Sequence, residues 1–211
     1  MLKAAHTAAE LDIPLLGINL GTTGFLTEAE ADSLPEALER LLGGDYFEEK
    51  RALLAVCTGE ERFLAMNDAV LSRGGYARLI RVRAQVNGSW AGEYRADGLI
   101  VATPTGSTGY SLSAGGPIIA PGVDCMLITP ICPHSLQHRP QVVPGDADVT
   151  LVLSDAEPFE ALLQIDGRSR CVLRAGDHVR IARAAESVRL IRMREKGFFE
   201  LVHQKLIEWS R

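Results

Sequence analysis

The stretch from Asp97 to Gly116, DGLIVATPTGSTGYSLSAGG, sets a short apolar run against a dense block of Gly, Ser and Thr. Three structures suit that composition: a solvated loop, a flexible linker, or a cradle in which backbone N–H groups and hydroxyls hold a polar ligand. Pro104 fixes the entry to a turn, and Gly106 and Gly109 let the backbone approach a ligand with no Cβ in between. Ser107 or Thr108 can cap a short helix running through Leu112, whose free N–H groups suit phosphate or ribose oxygens. An ordinary capped helix after a strand accounts for the same residues. The block contains no GxxxxGK[ST], GxGxxG or GxSxG, so a P-loop, a dinucleotide fingerprint and a nucleophile elbow at Ser107 or Ser111 are excluded.

Other reactive side chains carry weaker signals. Cys132, His134 and His138 lie close together in PICPHSLQHRP, but a tetrahedral metal site needs a fourth convergent ligand or an open water position, and the spacing signals neither. A Pro-bracketed loop is the expectation there. His6, His178 and His203 read as surface or packing residues. Cys57, Cys125, Cys132 and Cys171 are widely separated without a CxxC pair, which predicts buried thiols in a reducing cytoplasm and no disulfide framework.

A chain of 211 residues with 46% hydrophobic and 23% charged can bury a core. A formal net charge of −5 excludes a protein that holds nucleic acid mainly by neutralising phosphates. No apolar run approaches the roughly 20 residues of a membrane span, and the first residues lack signal-peptide architecture. The expectation is a cytoplasmic protein with no membrane partner.

The elements that must position the Gly-rich block follow from periodicity. LKAAHTAAE reads as a helix, broken at Asp12 to Pro14, then a compact strand ends at Gly17 to Gly21. A second helix is predicted over Glu28 to Leu42, with Leu34, Leu38, Leu41 and Leu42 on one face and Gly43-Gly44-Asp45 as its C-cap. This opening unit has a single strand of its own, which cannot make a parallel sheet without partners. LLAVCT, RFLAMNDAVLS, ARLIRVRAQV, GEYRA, GLIVAT, CMLIT, VTLVLS, EALLQID, HVRIAR and VRLIRM then read as strands, with Asn87-Gly88 a hairpin turn. GFFELVHQKLIEWS closes the chain as a helix with Phe199, Val202, Leu206 and Trp209 on one side.

DGLIVATPTGSTGYSLSAGGPI, together with NDAV (67–70), GINLGTTGFLTE (17–28), LITPICPHSLQHRPQVVP (127–144) and the GFFELV ending, closely resembles the NAD kinase family in order and spacing over nearly the whole chain. The resemblance implies an α+β protein. Residues 1–46 are then part of an N-terminal α/β, Rossmann-like domain, 47–192 a β-sandwich NAD-binding domain, and 193–211 a segment returning to the first domain. It implies transfer of the γ-phosphoryl group of ATP, with Mg²⁺, to the 2′-hydroxyl of the adenosine ribose of NAD, giving NADP. The resemblance further implies a homodimer or homotetramer whose NAD site is completed across a subunit contact.

Carried over by position, Asn67 and Asp68 match the family's pair that binds the adenosine half, an amide for an adenine edge and a carboxylate for ribose hydroxyls. Thr105, Thr108, Gly109, Tyr110, Ser111 and Ser113 match the block around adenine and ribose. Arg95 and Asp97 match positions that help hold the nicotinamide half, often from a neighbouring subunit, and Arg78 a basic position near the nucleotide. Asp166 falls at an Asp-Gly-Gln motif in which Arg168 replaces the amide. Thr22 stands where the family often has Arg, and Gly109 where it has Ala. The family's Gly-Gly-Asp-Gly-Thr motif, which holds the catalytic aspartate and binds ATP phosphates, stands directly before the helix that here begins MLKAAH. It is therefore expected to precede Met1, leaving no catalytic residue in this chain and little turnover from it alone. Two other readings fit the residues: a non-catalytic dinucleotide-binding subunit, and a sugar or lipid kinase of the wider GGDG-type architecture.

Overall fold

In the computed structural model, residues 1–21, 24–74, 78–135, 137–154, 160–193 and 197–209 are described. They form two compact units, Met1–Arg51 with Glu186–Arg211, and Ala52–Ala185. The architecture is α+β.

Helix α1 (Leu2–Glu10) packs through Ala5, Ala8 and Ala9, small residues at helical spacing. It ends where the sequence predicts, with Asp12 in the left-handed region at φ +50°. Strands β1 (Ile18–Asn19) and β2 (Ala29–Glu30) pair in parallel, and Leu15 bridges Leu190. The strand expected to stand alone therefore finds partners within this chain. The Asn19 amide donates to the Glu30 carboxylate at 2.7 Å and ties the pair together.

That pairing also shortens the second helix. Glu28–Glu30 extend toward β1, so α2 (Leu34–Leu42) starts later than predicted, with Pro35 in its first turn and a reciprocal Glu30–Ser33 cap before it. Its buried residue is Ala37, while Leu38 and Leu42 are exposed, so the predicted leucine face is not the packed one. Gly43 N–H donates to Glu39 O and Asp45 N–H to Arg40 O, both at 2.9 Å, confirming the Gly-Gly-Asp C-cap.

The second unit is a sandwich. Its strands are β3 (Phe47–Thr58), β4 (Glu61–Ala65), β5 (Asp68–Ser72), β6 (Ile80–Val86), β7 (Ser89–Ala96) and β8 (Gly98–Ala102). Helix α3 (Tyr110–Ser113) separates these from β9 (Cys125–Ile131), β10 (Gln141–Pro144), β11 (Val149–Leu153), β12 (Ala161–Ile165), β13 (Arg168–Leu173) and β14 (His178–Arg192). Two six-stranded sheets run β10-β9-β8-β5-β12-β13 and β4-β3-β14-β11-β6-β7; β3 and β14 continue into the first unit.

Alternation sends Ala69, Leu71, Leu99, Val101, Met126 and Ile128 of the first sheet into a core shared with Val82, Ala84 and Leu151 of the second. Val70, Ile100, Ala102, Leu127 and Ile131 bury on the opposite face beneath Ala114 and Ile119. A sheet covered on both faces explains why GLIVA and CMLITPI are unbroken apolar runs. Full burial of each such Leu or Ile stabilises by about 1.5–3 kcal/mol.

Other boundaries moved for local reasons. RFLAMNDAVLS is two strands broken at Met66-Asn67, whereas HVRIAR and VRLIRM are one strand, β14. The half-polar β10 and β13, unread as strands, lie at sheet edges, where one side needs no apolar cover. Asn87 (φ +52°) and Gly88 (φ +75°) turn β6 into β7 as predicted. Only Cys125 is buried among the four free thiols; Cys57 and Cys171 are half-buried and Cys132 is exposed, a correction to the expectation of four buried thiols.

The end of the chain belongs to the first unit. Arg192 binds Glu49 at 2.8 Å and Glu28 at 3.3 Å, and Arg51 also reaches Glu49 at 2.8 Å. Glu28 accepts the Met193 N–H at 2.9 Å. Beside this network Ala29, Ala37, Ile191 and Met193 form a small core. Helix α4 (Phe198–Trp209) buries Val202 and Lys205 and exposes Phe199 and Leu206, so its packed side is rotated from the predicted one. The Trp209 side chain and the substitution at Thr22 lie outside the described residues. No helix among the described residues is long and apolar enough to cross a membrane.

Candidate functional site

The break between β4 and β5 is where chemistry gathers. Asn67 stands in that break and Asp68 opens β5. Every backbone group of the short segment 66–68 has a partner. Met66 N–H donates to Asp166 Oδ2 at 2.9 Å, and Asn67 and Asp68 N–H donate to Asp166 Oδ1 at 2.7 and 3.1 Å. In return Asp166 N–H donates to Asp68 O at 3.0 Å. The Thr103 hydroxyl donates to Met66 O at 2.6 Å, and Thr103 N–H donates to Asn67 O at 2.9 Å.

Thr103 also receives the Gly106 N–H at 3.0 Å, which lays the Gly-rich loop against the same segment. A Cβ on Gly106 would fall 2.5 Å from the Asn67 carbonyl carbon and closer still to its oxygen, so no side chain fits there. Gly109 differs. A Cβ there would sit 3.8 Å from Asn67 Nδ2 and 4.0 Å from Asp68 Oδ2, which places both head groups beside the loop and leaves room for the family's alanine.

The hydroxyls of the block divide by role. Ser107, fully buried, donates to Pro104 O at 2.6 Å and accepts the Ile119 N–H at 3.0 Å, stapling the two ends of the segment. Ser111 is equally buried and shares a 2.8 Å hydrogen bond with Thr129 of β9, which holds α3 to the sheet. Thr105 is buried, and Thr108, half-buried, donates to its carbonyl at 3.2 Å. Tyr110 and Ser113 are exposed on the outer rim. The block is thus an ordered cradle with a backbone floor, rather than a linker.

Asp68 is buried with its carboxylate near that of Asp166. Burial, and to a lesser degree the charge of Asp166, push its carboxyl up to about 7. Asp166 has φ +48° at the β12–β13 turn, a conformation Asp tolerates better than most residues. Arg168, the next residue but one, is exposed at the start of β13.

Arg78, Arg95 and Asp97 lie elsewhere. Asp97 precedes β8 and Thr103 follows it, which separates them by roughly 20 Å of extended chain. Asp97 pairs with Arg73 at 2.7 Å, and Arg95 is exposed on β7. Arg78 stands two residues before Ile80, the partner of Ala96, and so falls at the Asp97 end. One chain therefore does not bring these three beside Asn67. His138 packs on the Tyr94 ring with centroids 4.7 Å apart. Among the described residues no three of His, Cys, Asp or Glu converge as metal ligands do.

Thr103 and Arg73 escaped sequence reasoning. A Thr placed directly before the Pro-Thr-Gly turn was the one available signal for the first, and Arg73 carried none.

The ATP-NAD kinase C-terminal domain profile matches residues 66–193, and the ATP-NAD kinase N-terminal domain profile matches residues 1–46. The chain is 44% identical to the NAD kinase of Geobacter metallireducens over 215 residues, covering 100% of this chain and 75% of that protein. With the NAD kinase of Moorella thermoacetica the identity is 44% over 99% of this chain and 68% of the relative. Among solved structures, yeast NADH kinase complexed with NADH superposes with a TM-score of 0.81 at 29% identity, covering 90% of this chain and 57% of that one. An Archaeoglobus fulgidus NAD kinase in complex with ATP gives 0.75 at 26% identity, covering 91% and 73%. The chain belongs to the NAD kinase family.

Proposed function

We propose that this chain carries the dinucleotide-binding machinery of an NAD kinase, which moves the γ-phosphoryl group of ATP to the 2′-hydroxyl of the adenosine ribose of NAD and yields NADP. The single observation that carries this reading is the placement of the Asn67 and Asp68 head groups under Gly109, where two motifs far apart in sequence meet in one cradle. Asn67 offers an amide to an adenine edge, and Asp68 accepts ribose hydroxyls when ionised. Tyr110 presents an exposed ring and hydroxyl at the rim. Thr105, Thr108, Gly109, Ser111 and Ser113 shape the pocket around adenine and ribose, and Asp166 and Arg168 stand at its edge.

Phosphoryl transfer rests on positioning and charge neutralisation. The described residues offer no all-protein cage for a divalent ion. Mg²⁺ is better suited to arrive on ATP phosphate oxygens, which hard cations prefer. Arg78, Arg95 and Asp97, distant from Asn67 in one chain, fit the nicotinamide half of a site completed by a second copy, in a homodimer or homotetramer. The compact unit of Met1–Arg51 and Glu186–Arg211 supports reading residues 1–46 as α/β structure to which 193–211 return, with 47–192 as the NAD-binding domain. A cytoplasmic location accords with the substrates.

Calorimetric titration with NAD tests the assignment. Asn67→Ala and Tyr110→Ala should each weaken NAD at least tenfold, and ATP-dependent NADP formation should fall with them. Unchanged affinity in both variants would sink it. Binding without turnover even in an N-terminally extended chain would favour a regulatory subunit, and diacylglycerol binding without NAD a lipid kinase.

A further inference from the structure

Resting on that reading of the cradle, we infer that Asp166 is a positioning residue, which sets the backbone of the Asn67–Asp68 pair rather than touching the dinucleotide. A carboxylate has about four lone-pair sites. Asp166 devotes three to consecutive N–H groups of Met66, Asn67 and Asp68 at 2.7–3.1 Å.

The clamp closes from both sides. Asp166 N–H returns a bond to Asp68 O, and Thr103 takes the carbonyls of Met66 and Asn67. All six backbone polar groups of 66–68 are thus engaged by Asp166 or Thr103, so every N–H of the segment is taken and the side chains of Asn67 and Asp68 are the donors and charge it presents. Asp166 has φ +48° at the β12–β13 turn, and its carboxylate meets that segment from there.

This geometry explains a break that strand propensity does not. Without an acceptor for three successive N–H groups, RFLAMNDAVLS has the pattern of one continuous strand. Asp166 stabilises the interruption, and the interruption aims the two head groups at Gly109. Its charge also bears on Asp68, which shares the buried site.

A double-mutant cycle on the full chain tests this, with NAD affinity as the readout. Asp166→Ala should weaken NAD at least tenfold. Asp166→Asn keeps an oxygen for the two bonds to Asn67 and Asp68, and should recover most of that loss. In an Asn67→Ala background, Asp166→Ala should add less than about threefold, because its effect runs through the pair. Losses that multiply would mean direct contact with NAD and overturn the inference. Equal losses for Asn and Ala would assign the effect to charge and overturn it too. Amide exchange at Met66–Asp68 without ligand should accelerate in Asp166→Ala. That measurement separates the inference from the reading beneath it: if Asn67→Ala leaves NAD affinity unchanged, the site assignment falls, while unchanged exchange removes the clamp itself. Should Asp166→Ala not fold, the exchange and affinity of Asp166→Asn decide.

Discussion

At the scale of single residues, Asp68 is the most consequential titrating group. A carboxyl whose folded pKa lies near 7, above its unfolded value of 3.8, keeps its proton in the native state while the unfolded chain has lost it. Stability from this group is complete below about pH 4 and is lost as pH rises toward 7, the reverse of the usual carboxylate pattern. Asp68→Asn should flatten that part of the profile, read as the midpoint of thermal unfolding between pH 4 and 8. An undiminished slope would place the titration elsewhere. The two loop glycines should also part company. Gly106→Ala meets the Asn67 backbone and should destabilise by about 2–4 kcal/mol. Gly109→Ala, at φ −100° with only ordinary contacts beyond a 3.3 Å approach to Gly106 O, should change stability by less than about 1 kcal/mol, as chemical denaturation can measure. Residue types made much of the cradle legible, since Gly, Ser and Thr beside Pro announce a turn. What stayed hidden was which hydroxyls face inward. Ser111 and Ser107 differ from Ser113 only by the strand and segment packed behind them, and no local pattern encodes that.

At the scale of elements, the sandwich was readable because its inner strands alternate or run apolar, and Asn87-Gly88 names its own turn. Edge strands β10 and β13 escaped because Gln141, Arg168 and Arg170 give them no apolar stripe, and their pairing comes from distant β9 and β12. The leucine face of α2 misled for a related reason: Leu38 and Leu42 follow helical spacing, yet Ala37 packs more closely. Between elements of the first unit, Arg192 is buried against Glu28 and Glu49. Burial opposes the charge on Glu49, but bonds from Arg192 and the charge of Arg51 outweigh it and hold the carboxyl below its usual value. Its stabilising share is therefore present above about pH 4.5 and lost as pH falls through the lowered value. Arg192→Met takes the guanidinium from both Glu28 and Glu49, leaving Glu49 to Arg51, and should cost about 3 kcal/mol in denaturant unfolding; a loss under about 1 kcal/mol would show that water reaches the network.

At the scale of the whole molecule, the predicted site residues fall into two groups at opposite ends of β8, and this division bears on assembly. Light scattering should find two or four copies at micromolar concentration. Arg95→Ala should weaken NAD several-fold in the assembled form, and dilution to monomer should weaken wild-type binding in step. A monomer with full NAD affinity would show that one copy suffices. No reading of composition could have separated the two groups, because the separation follows from a five-residue strand lying between Asp97 and Thr103.

The floor beneath Gly106 is peptide rather than side chain, and this limits how the enzyme's choice of substrate can be altered. Under the proposed reading of the cradle, directed evolution toward a changed purine would find no room for a side chain at Gly106. Useful diversity lies in the Asn67 side chain and in Thr108, Tyr110 and Ser113 around the opening, so a library built there should yield altered preference at far smaller folding penalty than one aimed at Gly106.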